Sequence, residues 1–163
     1  IEPVMGQPTD LPQTLETSLA KAYLYVISRT SWPGLQEGRI NFCINRNHLL
    51  FDTFTRVIPT TRLDRYTLEI KLIDEDDVAT QRSCQIIALH RNPVFVEKVT
   101  KQVAGHSVLT ISHETDITES GGIVFISFGK RLEPPRINFT ALETSGLQID
   151  ATILDLSKRH WSK

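Results

Sequence analysis

The chain has 163 residues, of which 40% are hydrophobic and 23% are charged, and its formal net charge is −1. This length and composition predict one folded domain with a substantial core. The balanced charge argues against a nucleic-acid partner, and apolar runs of at most six residues, such as 22–27, are far shorter than the roughly 18 needed to span a membrane.

The N-terminal part of the chain predicts an arm followed by a helix. Residues 1–10 contain two prolines and a glycine without periodicity, so we expect a loose arm there and a single domain over 11–163. Asp10 and Gln13 match a capping box, and apolar residues at helical spacing follow from Leu15. This helix is expected to end before Trp32-Pro33-Gly34. The chain begins at Ile1 rather than Met, and we expect that an N-terminal segment has been removed; these residues do not say whether it was a secretory signal.

The middle of the chain alternates between strand and helix patterns. We expect a helix capped by Asn47 and ended by Pro59, and a second helix that starts at Asn92-Pro93 and ends at Gly105. The acidic run 74–77 is interpreted as a solvated turn, because it lacks the ligand spacing of a calcium loop. The predicted strands of this part cover 39–45, 66–73 and 84–89, the last almost wholly apolar, as in a strand covered on both faces.

The last third of the chain continues the alternation. Strands are predicted over 107–112, 122–129 and 134–138, and helices over 139–145 and 150–160. Gly121-Gly122 is interpreted as a hairpin turn or bulge that needs a positive φ. Asn138 is expected to cap the following helix, and Gly146 separates the two last helices.

Helices between strands favour a mostly parallel or mixed sheet. We therefore predict a three-layer α/β domain: about six strands with helices on both faces. Its core is expected to contain Leu15, Leu19, Tyr23, Val26, Phe42, Ile44, Ile86, Ile87, Val99, Leu109, Ile111, Val124, Ile126, Leu147, Ile153 and Leu154.

The two cysteines, Cys43 and Cys84, lie 41 residues apart in predicted strands. They match no zinc or redox motif. Two interpretations stay open from the residues: a pair of small buried hydrophobic side chains, or a disulfide in an oxidising compartment.

No catalytic or metal-binding motif emerges. The five histidines are scattered, and His113-Glu114 begins like a zincin motif but has Ile117 where the second histidine belongs. There is no G-x-S-x-G nucleophile elbow. We therefore predict no enzyme activity, no metal and no cofactor.

The two tryptophans could be binding anchors, since Trp is enriched at interface hot spots. For Trp32, followed by Pro33, we favour a core position beneath the first helix. Trp161 lies beside basic residues near the chain end and is expected to be exposed.

From about Leu15 to its end the chain resembles the YfiR family of periplasmic proteins. The ordered matches are AKAYLYVISRTSWP (20–33), INFCI (40–44), CQIIAL (84–89), VLTIS (108–112), GGIVFIS (121–127) and RINFTALETSGLQIDATILDL (136–156). The chain departs from the family pattern at Ala88, where a bulky aromatic is common, and at Glu119-Ser120. A second cysteine pair found in some relatives is absent.

The resemblance implies a periplasmic, non-enzymatic regulator. Such a protein binds the periplasmic sensor domain of an inner-membrane GGDEF-type diguanylate cyclase and represses it, and an outer-membrane lipoprotein can sequester the regulator. The resemblance also favours a disulfide between Cys43 and Cys84.

The contact surface is expected to use apolar groups of the C-terminal region: Leu132, Phe139, Leu142 and Trp161. A homodimer is also expected. The alternatives are a periplasmic small-ligand-binding module of an unrelated pathway and an enzyme that uses Glu143, Asp150 and His113.

Overall fold

The chain folds into a sheet flanked by helices. The computed structural model describes residues 13–36, 38–63, 65–128 and 133–161. The helices are α1 (Gln13–Ser28), α2 (Phe51–Val57), α3 (Val78–Ser83), α4 (Pro93–Val103), α5 (Phe139–Ser145) and α6 (Ala151–Trp161). The strands are β1 (Thr30–Ser31), β2 (Arg39–Ile44), β3 (Thr67–Leu72), β4 (Ile86–Leu89), β5 (Leu109–Ser112), β6 (Val124–Phe125), β7 (Arg136–Ile137) and β8 (Gln148–Ile149). Short 3₁₀ helices cover Ile58–Thr60 and Ile117–Ser120.

The main sheet has the strand order β3-β2-β4-β5-β6-β7. The first five of these strands are parallel, and only β7 runs antiparallel to its neighbour. Within this sheet the chain first forms β2, and β3 is then added on one side of it. The chain next crosses to the other side of β2 to form β4, so the direction of winding reverses at the β2–β4 pair. This six-stranded mixed sheet with helices around it confirms the predicted α/β fold.

Alternating side chains divide the interior into two clusters. On β2, Phe42 and Ile44 join the cluster that contains Tyr23 of α1, whereas Cys43 points into the cluster that contains Val99 of α4. A strand covered by helices on both faces must be apolar at consecutive positions. β4 and β5 meet this requirement, because every residue of both strands is buried.

The disulfide between Cys43 and Cys84 lies in the second cluster, on the α4 side of the sheet. The two Cα atoms are 6.2 Å apart, which is within the range that a disulfide spans. It joins β2 to the segment that leads into β4, and these two strands are neighbours in the sheet. The predicted pairing is therefore confirmed.

Most of the predicted core is buried. Fourteen of the sixteen residues are inaccessible or nearly so, and Leu15 and Leu154 are partly buried against the same cluster. The strand register expected from the sequence is correct, because no predicted core position on a strand is exposed.

Two predicted helix features are wrong. Asn47 does not cap α2: its backbone N–H donates to Asn45 Oδ1 over 2.9 Å, and Leu50 occupies the N-cap position without a side-chain bond. Pro59 does not end the helical segment, since it lies within the 3₁₀ turn that continues α2. The predicted arm over 1–10 and the cap by Asp10 lie outside the described residues.

The hairpin expected at Gly121-Gly122 is also wrong, because β5 and β6 are parallel. A 3₁₀ helix fills the connection, and Gly121 ends it with a φ of +95°. The positive φ was predicted correctly for this glycine. At Gly122 a Cβ would come within 2.4 Å of Ile117 Cδ1, so close packing rather than φ favours glycine there.

Candidate functional site

The predicted contact residues of the C-terminal region have different environments. Leu142 is only 7% exposed and belongs to the core, so the expectation of an exposed side chain is wrong: α5 turns this residue toward the sheet. Phe139 and Trp161 are half-buried at the surface. Leu132 lies outside the described residues.

Each of the two surface aromatics carries a cation above its ring. The Lys158 Nζ atom lies 5.2 Å from the ring centre of Phe139, and the Arg136 guanidinium lies 5.4 Å from that of Trp161. Trp161 Nε1 also donates to the backbone oxygen of Pro134 over 3.0 Å. We name Phe139, Lys158, Arg136 and Trp161 the aromatic–cation surface. Arg136 is already paired with Asp116 at 2.6 Å and with Glu119 at 3.4 Å. The surface therefore offers a partner apolar area together with, mainly, the positive charge of Lys158.

The remaining predicted motif residues are structural. Trp32 is 4% exposed, and its Nε1 donates to the Gln85 backbone oxygen over 3.1 Å, so the core position expected for it is confirmed. Pro33 follows it in the turn after β1. Asn138 caps α5 by accepting the Ala141 N–H over 2.9 Å, and Gly146 ends that helix with a φ of +78°.

A second group of polar side chains was missed in the sequence. His48, His90 and His113 follow β2, β4 and β5, three adjacent parallel strands. Because the carboxyl ends of parallel strands meet at one edge of a sheet, these histidines share that edge, at the reversal point where doubly wound folds commonly bind ligands. The ring centres of His48 and His113 are 5.7 Å apart, and Tyr23 of α1 packs edge-on against both.

All three histidines present Nδ1 to a hydrogen-bond donor. His48 Nδ1 accepts the Leu50 N–H over 3.0 Å, and His90 Nδ1 accepts the Asn92 N–H over 3.1 Å. The Tyr23 hydroxyl lies 2.8 Å from His113 Nδ1. An imidazole nitrogen accepts only when it carries no proton, so His48 and His90 are neutral, with the proton on Nε2.

Burial governs the electrostatics of this histidine cluster. It lowers the pKa of His48 well below its usual value, with a further decrease from the neighbouring histidines, and lowers the pKa of His113 to about 4. Burial also lowers the pKa of His90, although Glu75 acts in the opposite sense. The pKa of Tyr23 is raised well above its usual value, mainly by burial, so its hydroxyl stays protonated.

Glu114 is the acidic member of this edge. Burial raises its pKa, while Arg91, whose Nε lies 4.0 Å from Glu114 Oε2, and the Leu49 backbone N–H lower it. Glu114 Oε1 and His48 Nε2 are buried without a hydrogen-bond partner among the described residues. The edge is thus a polar site, buried at His48 and His90 and half-buried at His113 and Glu114, with a spare donor and a spare acceptor.

The alternative enzyme hypothesis uses Glu143, Asp150 and His113. Within the described residues, no hydrogen bond or ion pair connects any two of them. Asp150 binds Arg29 at 3.3 Å and accepts the Thr152 N–H at the start of α6, whereas His113 is bonded to Tyr23. Glu143 lies on α5 and accepts the Gly146 N–H through its backbone oxygen. Within the described ranges, no group of three histidine, cysteine or acidic residues has an arrangement suited to a metal ion.

A cleft of about 250 Å³ opens between α4 and α5. Its wall includes Val103 of α4, His106 of the turn that follows α4, Thr110 of β5, and Ala141 and Ser145 of α5. Such a volume is at the small end for ligand pockets.

None of the helices in the described part of the chain has the length and apolar character needed to cross a membrane.

No curated protein matches the chain. Among solved structures, a conserved domain protein from Vibrio cholerae O1 biovar El Tor strain N16961 is similar, with a TM-score of 0.59 and 13% sequence identity. The match covers 91% of this chain and 60% of that one, and at this identity it shows a shared fold.

The family comparison goes further than the shared fold. The profile described as YfiR/HmsC-like matches residues 17–158. This range includes both cysteines, all three histidines of the cluster and the segment from Phe139 to Lys158. The chain therefore belongs to the YfiR/HmsC-like family.

Proposed function

We propose that this protein is a periplasmic, non-enzymatic regulator that binds the sensor domain of an inner-membrane diguanylate cyclase and represses it. The observation that carries the proposal is the family match over residues 17–158. In the proposal, residues 11–163 act as one domain. Repression then requires only that the regulator bind the inactive state of the sensor domain more tightly than the active one.

The disulfide supports the proposed location. Both cysteines of the chain are consumed in the bond between Cys43 and Cys84, and disulfides persist in oxidising compartments such as the bacterial periplasm. A protein with this bond at the centre of its sheet is suited to that compartment.

The aromatic–cation surface is the proposed contact region. Phe139 and Trp161 supply flat apolar area, and Lys158 places positive charge directly over the Phe139 ring. A partner surface with apolar and acidic groups would satisfy both features. Leu132, outside the described residues, remains a candidate contact, whereas buried Leu142 does not.

The proposal is tested by producing the chain in the periplasm together with the GGDEF-type membrane protein encoded next to it, and by measuring cyclic-di-GMP. Lower cyclic-di-GMP in the presence of the chain, with co-purification of the two proteins, supports the proposal. Unchanged cyclic-di-GMP without co-purification contradicts it and favours a small-ligand-binding module, for which the cleft between α4 and α5 is the site to examine.

Trp161→Ala tests the contact surface. We expect it to weaken binding on the order of tenfold or more, as truncation of a hot-spot tryptophan does. Val94→Ala is the matched control, since Val94 is an exposed apolar residue at the start of α4. The unfolding midpoint of each variant is measured as well, so that lost binding is distinguished from lost folding.

Two further partners belong to the proposal: an outer-membrane lipoprotein that sequesters the regulator, and a second copy of the chain. Light scattering of the purified protein gives its mass in solution, and a monomer at all concentrations would contradict the homodimer.

A further inference from the structure

The histidine cluster connects the carboxyl edge of the sheet to three different helices. His48 accepts from Leu50, the N-cap residue of α2, and His90 accepts from Asn92, the N-cap residue of α4. His113 is bonded to Tyr23 in the middle of α1. The three histidines, in their neutral form, thus each stabilise a contact between a loop at this edge and a helix.

We propose that this cluster is a pH switch: the neutral histidines keep the loops after β2, β4 and β5 closed on the helices, and their protonation releases these loops. The proposal concerns the chain alone and holds whether or not it regulates a cyclase.

Protonation changes the hydrogen bonds at His48 and His90 from favourable to unfavourable. A proton on Nδ1 turns an acceptor into a donor that faces a backbone N–H donor, so both bonds are lost. The new charge at His90 also lies at the N-terminal end of α4, where the helix dipole disfavours a cation.

At His113 the cost has another origin. The Tyr23 hydroxyl can accept as well as donate, so this hydrogen bond survives protonation. The charge would, however, be buried against the ring of His48, 5.7 Å away, and burial disfavours the charged form.

The other ionisable groups near the cluster only partly oppose this effect. Glu75 favours a charged His90, and Glu114 faces Tyr23 and the Leu49 backbone. Arg91 pairs with Glu114 and offsets its negative charge. Burial remains the largest cause of the lowered pKa at all three histidines.

The sign and size of the switch follow from His113. Its pKa is about 4 when the edge is closed, against the ordinary value of 6.5 expected for a solvated histidine, so an open form binds the proton more tightly. Opening therefore becomes more favourable as the pH falls below about 6.5, and the effect levels off near pH 4. Between pH 7.5 and pH 5 this single group increases the opening equilibrium about thirtyfold.

Amide hydrogen exchange of the chain at pH 7.5 and pH 5, corrected for the intrinsic rates, measures the opening. We expect exchange in the segments 45–56, 90–96 and 113–118 to rise about thirtyfold or more at pH 5, while β4 and β5 stay protected. Equal loss of protection across the whole sheet, or no change in the three segments, would overturn the proposal.

The variant His48→Asn/His90→Asn/His113→Asn isolates the cause. The Asn Oδ1 atom can accept in place of Nδ1 but does not titrate, so we expect protection at pH 7.5 and no increase at pH 5. His106→Asn is the matched control, because His106 is exposed in the turn after α4, and it should keep the wild-type response. A wild-type response in the triple variant would assign the effect to carboxylates and reject the histidines.

A second measurement keeps the test decisive if the triple variant does not fold. Imidazole nitrogen NMR of the wild-type chain reports the tautomer and the pKa of each histidine. We expect unprotonated Nδ1 at His48 and His90, and titration of His48 and His113 well below the ordinary histidine value of 6.5. Titration of both His48 and His113 near 6.5 would contradict the switch.

Discussion

Leu109 and Leu72 are both strand leucines, yet their exposure differs widely. Leu109 in β5 is fully buried between the two helix layers, whereas Leu72 at the end of β3 is 46% exposed. Burial of apolar surface and close packing contribute most of the stability of such a domain. Comparing the same substitution at Leu109 and at Leu72 therefore distinguishes the effect of burial on stability from the effect of replacing a leucine.

Leu109→Ala is expected to lower the free energy of unfolding by about 2–5 kcal/mol, because it leaves a cavity in a packed core. Leu72→Ala is the control and should change it by less than about 0.5 kcal/mol. Urea denaturation of both variants at neutral pH measures the difference. Similar losses for the two would show that β5 is less tightly packed than described.

At the scale of elements, the junction between β2 and β3 requires a glycine. Gly38 O accepts the Thr67 N–H over 2.7 Å where the parallel pair begins, and a Cβ on Gly38 would meet the backbone oxygen of Arg65 at 2.5 Å. A backbone atom cannot move aside as the end of a flexible side chain can. The close approach of these two backbone segments therefore requires glycine at position 38.

Gly38→Ala is expected to destabilise the protein by roughly 1–3 kcal/mol, as overpacking does. Gly34→Ala is the matched control, since nothing lies within 4 Å of a Cβ there, and it should change stability by less than about 0.5 kcal/mol. Thermal unfolding monitored by circular dichroism compares them. A neutral Gly38→Ala would mean that the β2–β3 junction shifts at little cost.

The elements that were predicted correctly are those with strong local signals. Asn92-Pro93 starts α4 and Gly146 ends α5 as expected, because capping and left-handed φ depend on the residue itself. α3 was missed: its sequence VATQRS has no apolar periodicity, and Asp77 supplies its start by accepting the Thr80 N–H. The two-residue strands β1 and β8 pair over a long distance in sequence, which no local pattern indicates.

The histidine cluster could have been predicted only with the topology. Each histidine alone carries no motif, and their separations along the chain follow no metal or catalytic spacing. The signal is that two of them come directly after a buried strand and the third comes four residues after one. Since the order of the parallel strands decides whether these positions meet, spacing along the sequence was not sufficient.

At the scale of the whole molecule, the disulfide closes a loop of 41 residues across the centre of the sheet. Removing it with the Cys43→Ala/Cys84→Ala variant is expected to lower stability by roughly 3–4 kcal/mol, because the unfolded chain regains the entropy of the open loop. Guanidinium denaturation with and without a thiol reductant measures this. Reductant should destabilise the wild-type chain and leave the variant unchanged; equal stability of the two without reductant would contradict the expectation.

The same disulfide also changes what happens when the backbone is cut. The acidic turn 74–77 is largely exposed and lies between the two cysteines. A protease that cleaves after Glu75 would therefore produce two pieces that stay covalently joined, with β2 on one and β4 on the other. Because these strands pair directly, a nicked molecule keeps the centre of its sheet and migrates as one band until it is reduced.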